Sequence, residues 1–187
     1  MTRPLRKDAA ERREALLKAA AEAFARHGLD TPLHVIAERA GVGRATLYRN
    51  FADRSELAVA VFVGQIDDLG QRTKERLDDP EVFLWFLGQM VELMIQSAGL
   101  STAIRDLRDE ALAPIRTGLK RAGAEALLIS QAAGRVRPDL SVEDTRVIAL
   151  MLGAPSRTVG AADSDQLSRR ALELVLDAVR PQGSRAA

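Results

Sequence analysis

The hydrophobic positions from residue 31 to residue 51 predict two short helices joined by a tight turn. The first has an apolar face of four residues at helical spacing: Leu33, Ile36, Ala37 and Ala40. Thr31 is a favourable N-cap for this helix, and Pro32 suits its first position because the missing N–H costs nothing there. Gly41 then supplies the left-handed backbone conformation that ends the helix and turns the chain.

The second short helix, expected from about Arg44 to Asn50 with Gly43 as its N-cap, has two different faces. Leu47 and Phe51 are four residues apart and lie on one side. The other side carries four residues: Arg44, Ala45, Tyr48 and Arg49. Arginine reads guanine edges or binds phosphate, and a tyrosine hydroxyl reaches phosphate, so this face suits DNA. A small residue in the first helix, a glycine in the turn and an apolar residue in the second helix are spaced as a helix-turn-helix requires. An ordinary helical hairpin with a solvated basic face is the alternative.

The pattern before this pair predicts a longer helix from about Asp8 to His27. Asp8 and Glu11 resemble a capping box, and Gly28 is a natural C-cap. An apolar stripe at four-residue spacing gives this helix a core face: Leu16, Ala20 and Phe24.

Residues 1–7 form a short basic arm that we expect to be disordered in isolation. Arg3, Arg6 and Lys7 could lie in a minor groove beside the main site. A mobile solvated tail is the alternative.

A fourth helix is expected to begin after Asp53, its N-cap, with Glu56 three residues on, and to run to about Asp78. Arg54 in the first turn places a cation at the positive end of the helix, which is locally unfavourable. A bound DNA phosphate would explain that placement.

After Pro80, the pattern changes to a helix that is apolar nearly all round, and we expect it to be central. Its aromatic and methionine residues suit an adaptable apolar pocket, while plain core packing is the alternative. Further helices are expected over about 100–112, 114–133, 142–153 and 165–180, and no strand pattern occurs. The sequence therefore predicts an all-α protein.

Composition excludes several kinds of chemistry. The 187 residues contain no cysteine and only two histidines, which are not clustered with other ligands, so thiol chemistry and a metal site are not expected. The absence of a long apolar run and of a signal-peptide core predicts a cytoplasmic protein with no membrane partner.

The charge is unevenly distributed along the chain. Residues 1–54 contain 11 Lys+Arg and 7 Asp+Glu, a net charge of +4, whereas residues 55–187 carry −3. The basic end coincides with the two short helices, which indicates a polyanionic partner for that end. Chance unevenness on a solvated surface is the alternative for so small a difference.

We find no catalytic constellation and predict no enzyme activity and no cofactor. Acidic pairs such as Asp67-Asp68 and Asp109-Glu110 suit solvated helix faces or ends. Gly41 and Gly43 form a G-x-G, but it lacks the third glycine and the preceding strand of a nucleotide-binding loop.

One stretch of about residues 12–57 resembles the DNA-binding domain of the TetR family of bacterial regulators. The resemblance is carried by nine residues: Ile36, Ala37, Ala40, Gly41, Val42, Thr46, Leu47, Tyr48 and Phe51. Asn50 stands where the family often has His or Tyr, and Arg54 where it usually has Lys; both can still contact phosphate. Gly43 replaces the usual Ser or Thr near the start of the second helix.

The resemblance implies a three-helix helix-turn-helix domain with its basic arm over residues 1–54, and a helical bundle for ligand binding and dimerisation over residues 55–187. It implies a regulator, most often a repressor, that binds a palindromic operator as a homodimer and is released by a small apolar ligand. The alternatives are a DNA-binding regulator without a ligand and, in another class, an enzyme or helical scaffold.

The expected sites follow from the resemblance and from the two faces described above. The residues expected to read base edges are Arg44, Ala45 and Arg49. Those expected on the DNA backbone are Thr31, Thr46, Tyr48, Asn50 and Arg54. The ligand pocket is expected to be lined by Phe62, Trp85, Phe86, Met90, Met94, Ile104, Leu107 and Met151.

Overall fold

The structure, a computed structural model, describes residues 3–27, 29–97, 110–154 and 161–181. These residues contain eight helices and no strand. In chain order they are α1 (Arg3–His27), α2 (Leu33–Arg39), α3 (Arg44–Asn50), α4 (Arg54–Lys74), α5 (Val82–Gln96), α6 (Ala113–Ala132), α7 (Asp144–Gly153) and α8 (Ala161–Val179). The predicted all-α class is confirmed.

The described residues fall into two compact units. The first contains α1, α2, α3 and the part of α4 up to Gly64. The second contains α4 from Gln65 onwards and α5 to α8. The division lies within α4, whereas the domain boundary proposed from the sequence lies where this helix begins. None of the helices in the described ranges has the length and apolar character that a membrane span needs.

The core of the first unit is formed by apolar stripes of its helices, because each helix is polar on its other side. The stripe predicted on α1 is buried, with Leu16 and Ala20 at 0% exposure and Phe24 at 2%. Ile36 and Ala37 of α2 are buried with it. Helical periodicity was therefore sufficient to identify this part of the core.

Several predicted helix ends differ from the structure, and the last helix, α8, begins at Ala161 rather than at about residue 165. The helix α1 begins at Arg3, so the arm expected to be disordered is helical from that residue, and Asp8 lies inside the helix rather than capping it. Pro4 is compatible with this earlier start because proline is tolerated in the first turn of a helix. The helix α4 ends at Lys74, before the expected Asp78.

The start of α2 also differs. Pro32, with φ −61° and ψ 136°, occupies the N-cap position, and the helix begins at Leu33. Thr31 therefore lies one residue before the N-cap position that the sequence predicted for it. The helix expected over about 100–112 lies mostly outside the described residues.

The second unit is built around α5, as its all-round apolar character predicted. Seven of its fifteen residues are buried: Val82, Phe83, Leu84, Phe86, Leu87, Met90 and Val91. The helix packs on α6, α7 and α8. Close approach to α6 depends on Gly123, where an added Cβ would lie 2.9 Å from Cε1 of Phe86. The backbone N–H of Phe83 donates to the buried hydroxyl of Ser130 at 3.1 Å.

Candidate nucleic-acid interface

The inner face of α3 fixes this helix to the first unit. Leu47 and Phe51 are each 1% exposed, and the Phe51 N–H donates to the Leu47 carbonyl at 2.9 Å. The Arg13 guanidinium lies 4.6 Å from the centroid of the Phe51 ring, a cation–π contact that reaches from α1. Sequence reasoning missed Arg13, because no local spacing relates it to a residue 38 positions later.

The turn before α3 has the geometry that its glycines predicted. Gly41 has φ +66°, a conformation that favours glycine, and its N–H donates to the Glu38 carbonyl at 3.0 Å. The Val42 N–H donates to the Ala37 carbonyl at 3.0 Å. Gly43 occupies the N-cap position of α3, as expected. This turn therefore sets the direction in which α3 leaves α2.

The outer face of α3 is open to solvent. The exposed side chains are those of Arg44, Ala45, Tyr48 and Arg49, and Tyr48 is 57% exposed. The phenol of Tyr48 is therefore accessible to a partner, and its hydroxyl can bind a phosphate oxygen. The two faces of the helix are thus divided as the sequence predicted, with cations and a phenol on the outside.

Three polar side chains of α3 are fixed by hydrogen bonds along the helix. The Arg49 Nε donates to the Ala45 carbonyl at 3.1 Å, and its Nη2 donates to the Thr46 hydroxyl at 3.4 Å. The Asn50 amide Nδ2 donates to the Thr46 carbonyl at 2.8 Å. The Arg49 guanidinium is therefore placed beside the first turn of the helix rather than beside its end.

Arg54 and Thr31, both expected on DNA phosphate, contact each other. The Arg54 Nη1 donates to the Thr31 carbonyl at 2.9 Å, in a half-buried position. Thr31 is 6% exposed, and its hydroxyl donates to the Ala23 carbonyl at 3.5 Å. These bonds link the start of α4, the residues before α2, and α1. They are long-range contacts, so the sequence carried no signal for them.

The start of α4 has the capping arrangement that the sequence predicted. The Glu56 N–H donates to the Asp53 carboxylate at 2.8 Å. The Glu56 carboxylate in turn accepts a hydrogen bond from the Ala52 N–H at 2.6 Å. Two backbone donors that the helix leaves unsatisfied are thereby paired.

The structure places the residues expected around a ligand in several different environments. Phe86 and Met90 are 0% and 1% exposed, whereas Trp85 and Met94 are half-buried. Trp85 packs against the Arg76 guanidinium, which lies 4.9 Å from the ring centroid. Phe62 is 8% exposed and belongs to the first unit. Ile104 and Leu107 lie outside the described residues.

Met151, which the sequence predicts in the ligand pocket, lies on the exposed side of α7. The buried stripe of α7 consists of Thr145, Ile148, Ala149 and Leu152. Met151 lies on the opposite side, is 55% exposed, and is accompanied there by Val147 and Leu150. Both sides of this short helix are apolar, so periodicity alone could not tell which one faces the core.

Within the described ranges, no group of three or more His, Cys, Asp or Glu side chains is arranged to hold a metal ion.

In the first unit, α2, the turn at Gly41 and α3 together have the arrangement of a helix-turn-helix. Residues 16–61 match the family described as bacterial regulatory proteins of the tetR family. Residues 79–181, more than half of the chain, match the family described as the C-terminal domain of SbtR-like transcriptional regulators.

Solved structures match the chain over nearly its whole length. The TetR transcription regulatory protein from Mycobacterium vanbaalenii is 29% identical, covers 95% of this chain and 100% of its own, and has a TM-score of 0.62. The TetR transcriptional regulator SCO0520 from Streptomyces coelicolor is 26% identical, with coverages of 91% and 99% and a TM-score of 0.61. RolR (NCGL1110), solved in complex with resorcinol, is 25% identical, with coverages of 95% and 92% and a TM-score of 0.68.

The chain belongs to the TetR family, and it is a transcriptional regulator with a DNA-binding helix-turn-helix.

Proposed function

We propose that this protein is a repressor that binds a palindromic operator as a homodimer and is released by a small apolar ligand. The observation that carries the DNA-binding part is the outer face of α3, where Arg44, Tyr48 and Arg49 are exposed while Leu47 and Phe51 are buried behind them. A rigid helix with cations and a phenol on its free side suits the major groove.

The roles on DNA follow from position along α3 and from the hydrogen bonds described above. Arg44, Ala45 and Arg49 are assigned to base edges, and Thr46, Tyr48 and Asn50 to the DNA backbone. Arg54 uses one of its five N–H donors on Thr31, so further donors are left for phosphate. The Thr31 hydroxyl would contact phosphate only by giving up its bond to Ala23.

Homodimerisation is supported by exposed apolar side chains on α7 and α8, which pack together in the second unit. Val147, Leu150 and Met151 are 53%, 48% and 55% exposed and lie on one side of α7. Leu167 and Leu174, 44% and 55% exposed, are two helical turns apart on α8. We name these five residues the outer apolar face. Soluble monomers rarely leave such a face uncovered, and a second copy would bury it.

A two-fold dimer carries two copies of α3. It would therefore read two inverted half-sites in successive major grooves, roughly 34–36 Å apart. The operator is accordingly expected to be palindromic.

Ligand control is supported by the apolar helix α5 and by the likeness to RolR, which was solved with resorcinol. Met90 and Met94, with the aromatic residues Trp85 and Phe86, give α5 adaptable apolar side chains that could rearrange around a ligand. A ligand would release DNA only if it bound the DNA-incompetent conformation more tightly, and its effect could not exceed that difference in affinity.

A regulator without a ligand is the second candidate, and one observation favours it. Phe86 is fully buried and occupies the space beside Gly123 so closely that a Cβ there would lie 2.9 Å from its ring. A ligand at this point would have to displace the ring. Such a regulator would respond only to its own concentration. In either case we expect no catalytic turnover.

The DNA-binding proposal is tested by selecting bound sequences from random duplex DNA with the full chain. We expect an enriched palindrome whose affinity falls steeply with salt, with a slope of about −0.9 for each phosphate contact in a log–log plot. Enrichment of a non-repeated site would contradict the dimer, and retention of no duplex at low salt would contradict DNA binding.

Ligand control is tested separately by thermal unfolding of the full chain with resorcinol and with non-phenolic apolar compounds. A compound at 100 times its Kd is expected to stabilise the protein by about 2.7 kcal/mol and to weaken operator binding. A compound that raises the Tm without affecting operator affinity would argue for the ligand-independent regulator.

A further inference from the structure

The side chain of Arg49 is anchored at two points, although its position is exposed. Its Nε donates to the Ala45 carbonyl at 3.1 Å, and its Nη2 donates to the Thr46 hydroxyl at 3.4 Å. Both acceptors precede Arg49 by one helical turn, so the guanidinium is folded back to the N-terminal half of α3. That half is the part of a recognition helix that contacts base edges.

The two anchored nitrogens lie on one edge of the planar guanidinium. The N–H groups at its far end, one on Nη1 and one on Nη2, remain as a pair in the fixed geometry that matches O6 and N7 of guanine. A side chain that is already held in place loses less conformational entropy when it binds. Ala45 is exposed and small, so little side-chain bulk lies beside the guanidinium.

Arg44 differs from Arg49 in this respect. Its side chain is exposed, and among the described residues it has no hydrogen-bond or ion-pair partner. A guanidinium without an intramolecular hydrogen bond at the first position of the helix suits a phosphate, which accepts contacts over a wide range of directions.

We propose that Arg49 is the specificity-determining residue of α3, that Thr46 is a positioning residue acting through it, and that Arg44 binds the DNA backbone. This inference rests on the proposed DNA-binding function and deepens it. It assigns to each half-site one G·C pair that Arg49 reads. It moves Arg44 from base edges to the DNA backbone, and Thr46 from phosphate contact to support of Arg49.

The test repeats the selection from random duplex DNA with single variants and compares base preference with overall affinity. Arg49→Ala and Arg49→Lys should each lose a preference of roughly 5- to 150-fold at one G·C pair in each half-site, and the lysine variant should keep most of the salt dependence. Thr46→Val removes the accepting hydroxyl at nearly constant volume. This variant should lose roughly 2- to 10-fold of the base preference at the same G·C pair.

Matched variants separate positioning from general effects. Thr46→Ser keeps the hydroxyl and should restore the preference. Arg44→Ala should weaken binding to all duplexes alike and reduce the salt slope by about 0.9 for each phosphate that the variant no longer neutralises. Thermal unfolding of each variant checks that the substitutions leave the fold intact.

The outcomes distinguish this inference from the function on which it rests. If the wild-type chain enriches no duplex, both fail. If it enriches a palindrome but both Arg49 variants keep every base preference, or lose affinity for all duplexes alike, the inference alone fails. It also fails if Arg44→Ala removes the G·C preference, or if Thr46→Val and Thr46→Ser behave identically.

Discussion

The outer side of α3 and the outer apolar face of α7 and α8 are both exposed, but they present opposite chemistry. On α3, the free side carries two arginines and a tyrosine. On α7 and α8, it carries valine, leucine and methionine. In both places the opposite side of the helix is firmly buried, at Leu47 on α3 and at Ile148 and Leu152 on α7.

This difference in chemistry indicates what kind of partner each surface suits. A cationic surface gains affinity by releasing counterions from a polyanion, so its binding weakens steeply with salt. An apolar surface gains affinity by removing area from water, and that gain depends far less on ionic strength. Raising the salt concentration should therefore weaken DNA binding by α3 much more than association through the outer apolar face, and each surface can be altered without the other.

The largest effect is expected from a charge in the outer apolar face. Leu150→Glu would bury an unpaired carboxylate in each half of a two-fold interface, at a cost of about 2–5 kcal/mol each, and the two together should weaken the dimer by at least roughly 1,000-fold. Sedimentation velocity would detect the change. Leu128→Glu is the control, because Leu128 is 63% exposed but lies on α6. Equal dissociation by both variants would refute the assignment of this face.

A smaller but still large effect is expected behind α3. Phe51→Ala removes a ring that is 1% exposed and packed under Arg13, and it should lower the free energy of unfolding by about 3–5 kcal/mol. Tyr48→Ala, on the exposed side of the same helix, should change it by less than about 0.5 kcal/mol. Urea unfolding measures both, and similar losses would mean that the two sides of α3 are not divided as described.

Alanine substitutions at two glycines of the second unit should change the free energy of unfolding in opposite directions. Gly123→Ala places a Cβ 2.9 Å from the Phe86 ring, and overpacking of this kind costs about 1–3 kcal/mol. Gly88→Ala, in the middle of α5, meets no neighbouring atom within 4 Å and should stabilise the helix by about 0.5–1 kcal/mol. Thermal unfolding compares them, and stabilisation by both would show that Phe86 has room to move.

The N-cap of α4 should contribute about 1 kcal/mol to the free energy of unfolding. Asp53→Ala removes the acceptor of the Glu56 N–H, whereas Asp53→Asn keeps an equivalent acceptor. We therefore expect the alanine variant to be less stable in urea by about 0.5–2 kcal/mol and the asparagine variant to resemble the wild type. Equal losses would instead point to the charge of Asp53 at the helix end.

The smallest expected effect is on the pKa of Asp144, the first residue of α7. The backbone N–H and the hydroxyl of Ser141 donate to the Asp144 carboxylate, both at 2.8 Å, and hold the pKa of Asp144 below its ordinary value. Because the pKa is lowered in the folded state, the stabilisation is present above the unfolded pKa and is lost as the pH falls through the folded pKa.

Ser141→Ala should therefore raise the pKa of Asp144 part of the way towards its ordinary value, since the backbone donor remains. A carboxyl carbon NMR titration measures it. Asp139 is the internal control, because its pKa is lowered mainly by the hydrogen bond from Arg137. An unchanged Asp144 titration would mean that the hydroxyl has no effect.

Local features of the chain were predictable from the sequence alone. The turn at Gly41, the N-cap at Gly43, the capping box of Asp53 and Glu56, and the two faces of α3 were all predicted and are present. Each depends on residues within about one helical turn of one another, and the period of a helix relates their side chains directly.

The tertiary structure decided which distant residues meet. Arg13 lies over Phe51, Arg54 is bound to Thr31, and Phe86 occupies the space beside Gly123. Such contacts depend on the angles and distances at which helices cross, which a pattern along one helix does not contain. For the same reason, the sequence determined that α7 is apolar on both sides, but only its packing determined that Ile148 is buried and Met151 exposed.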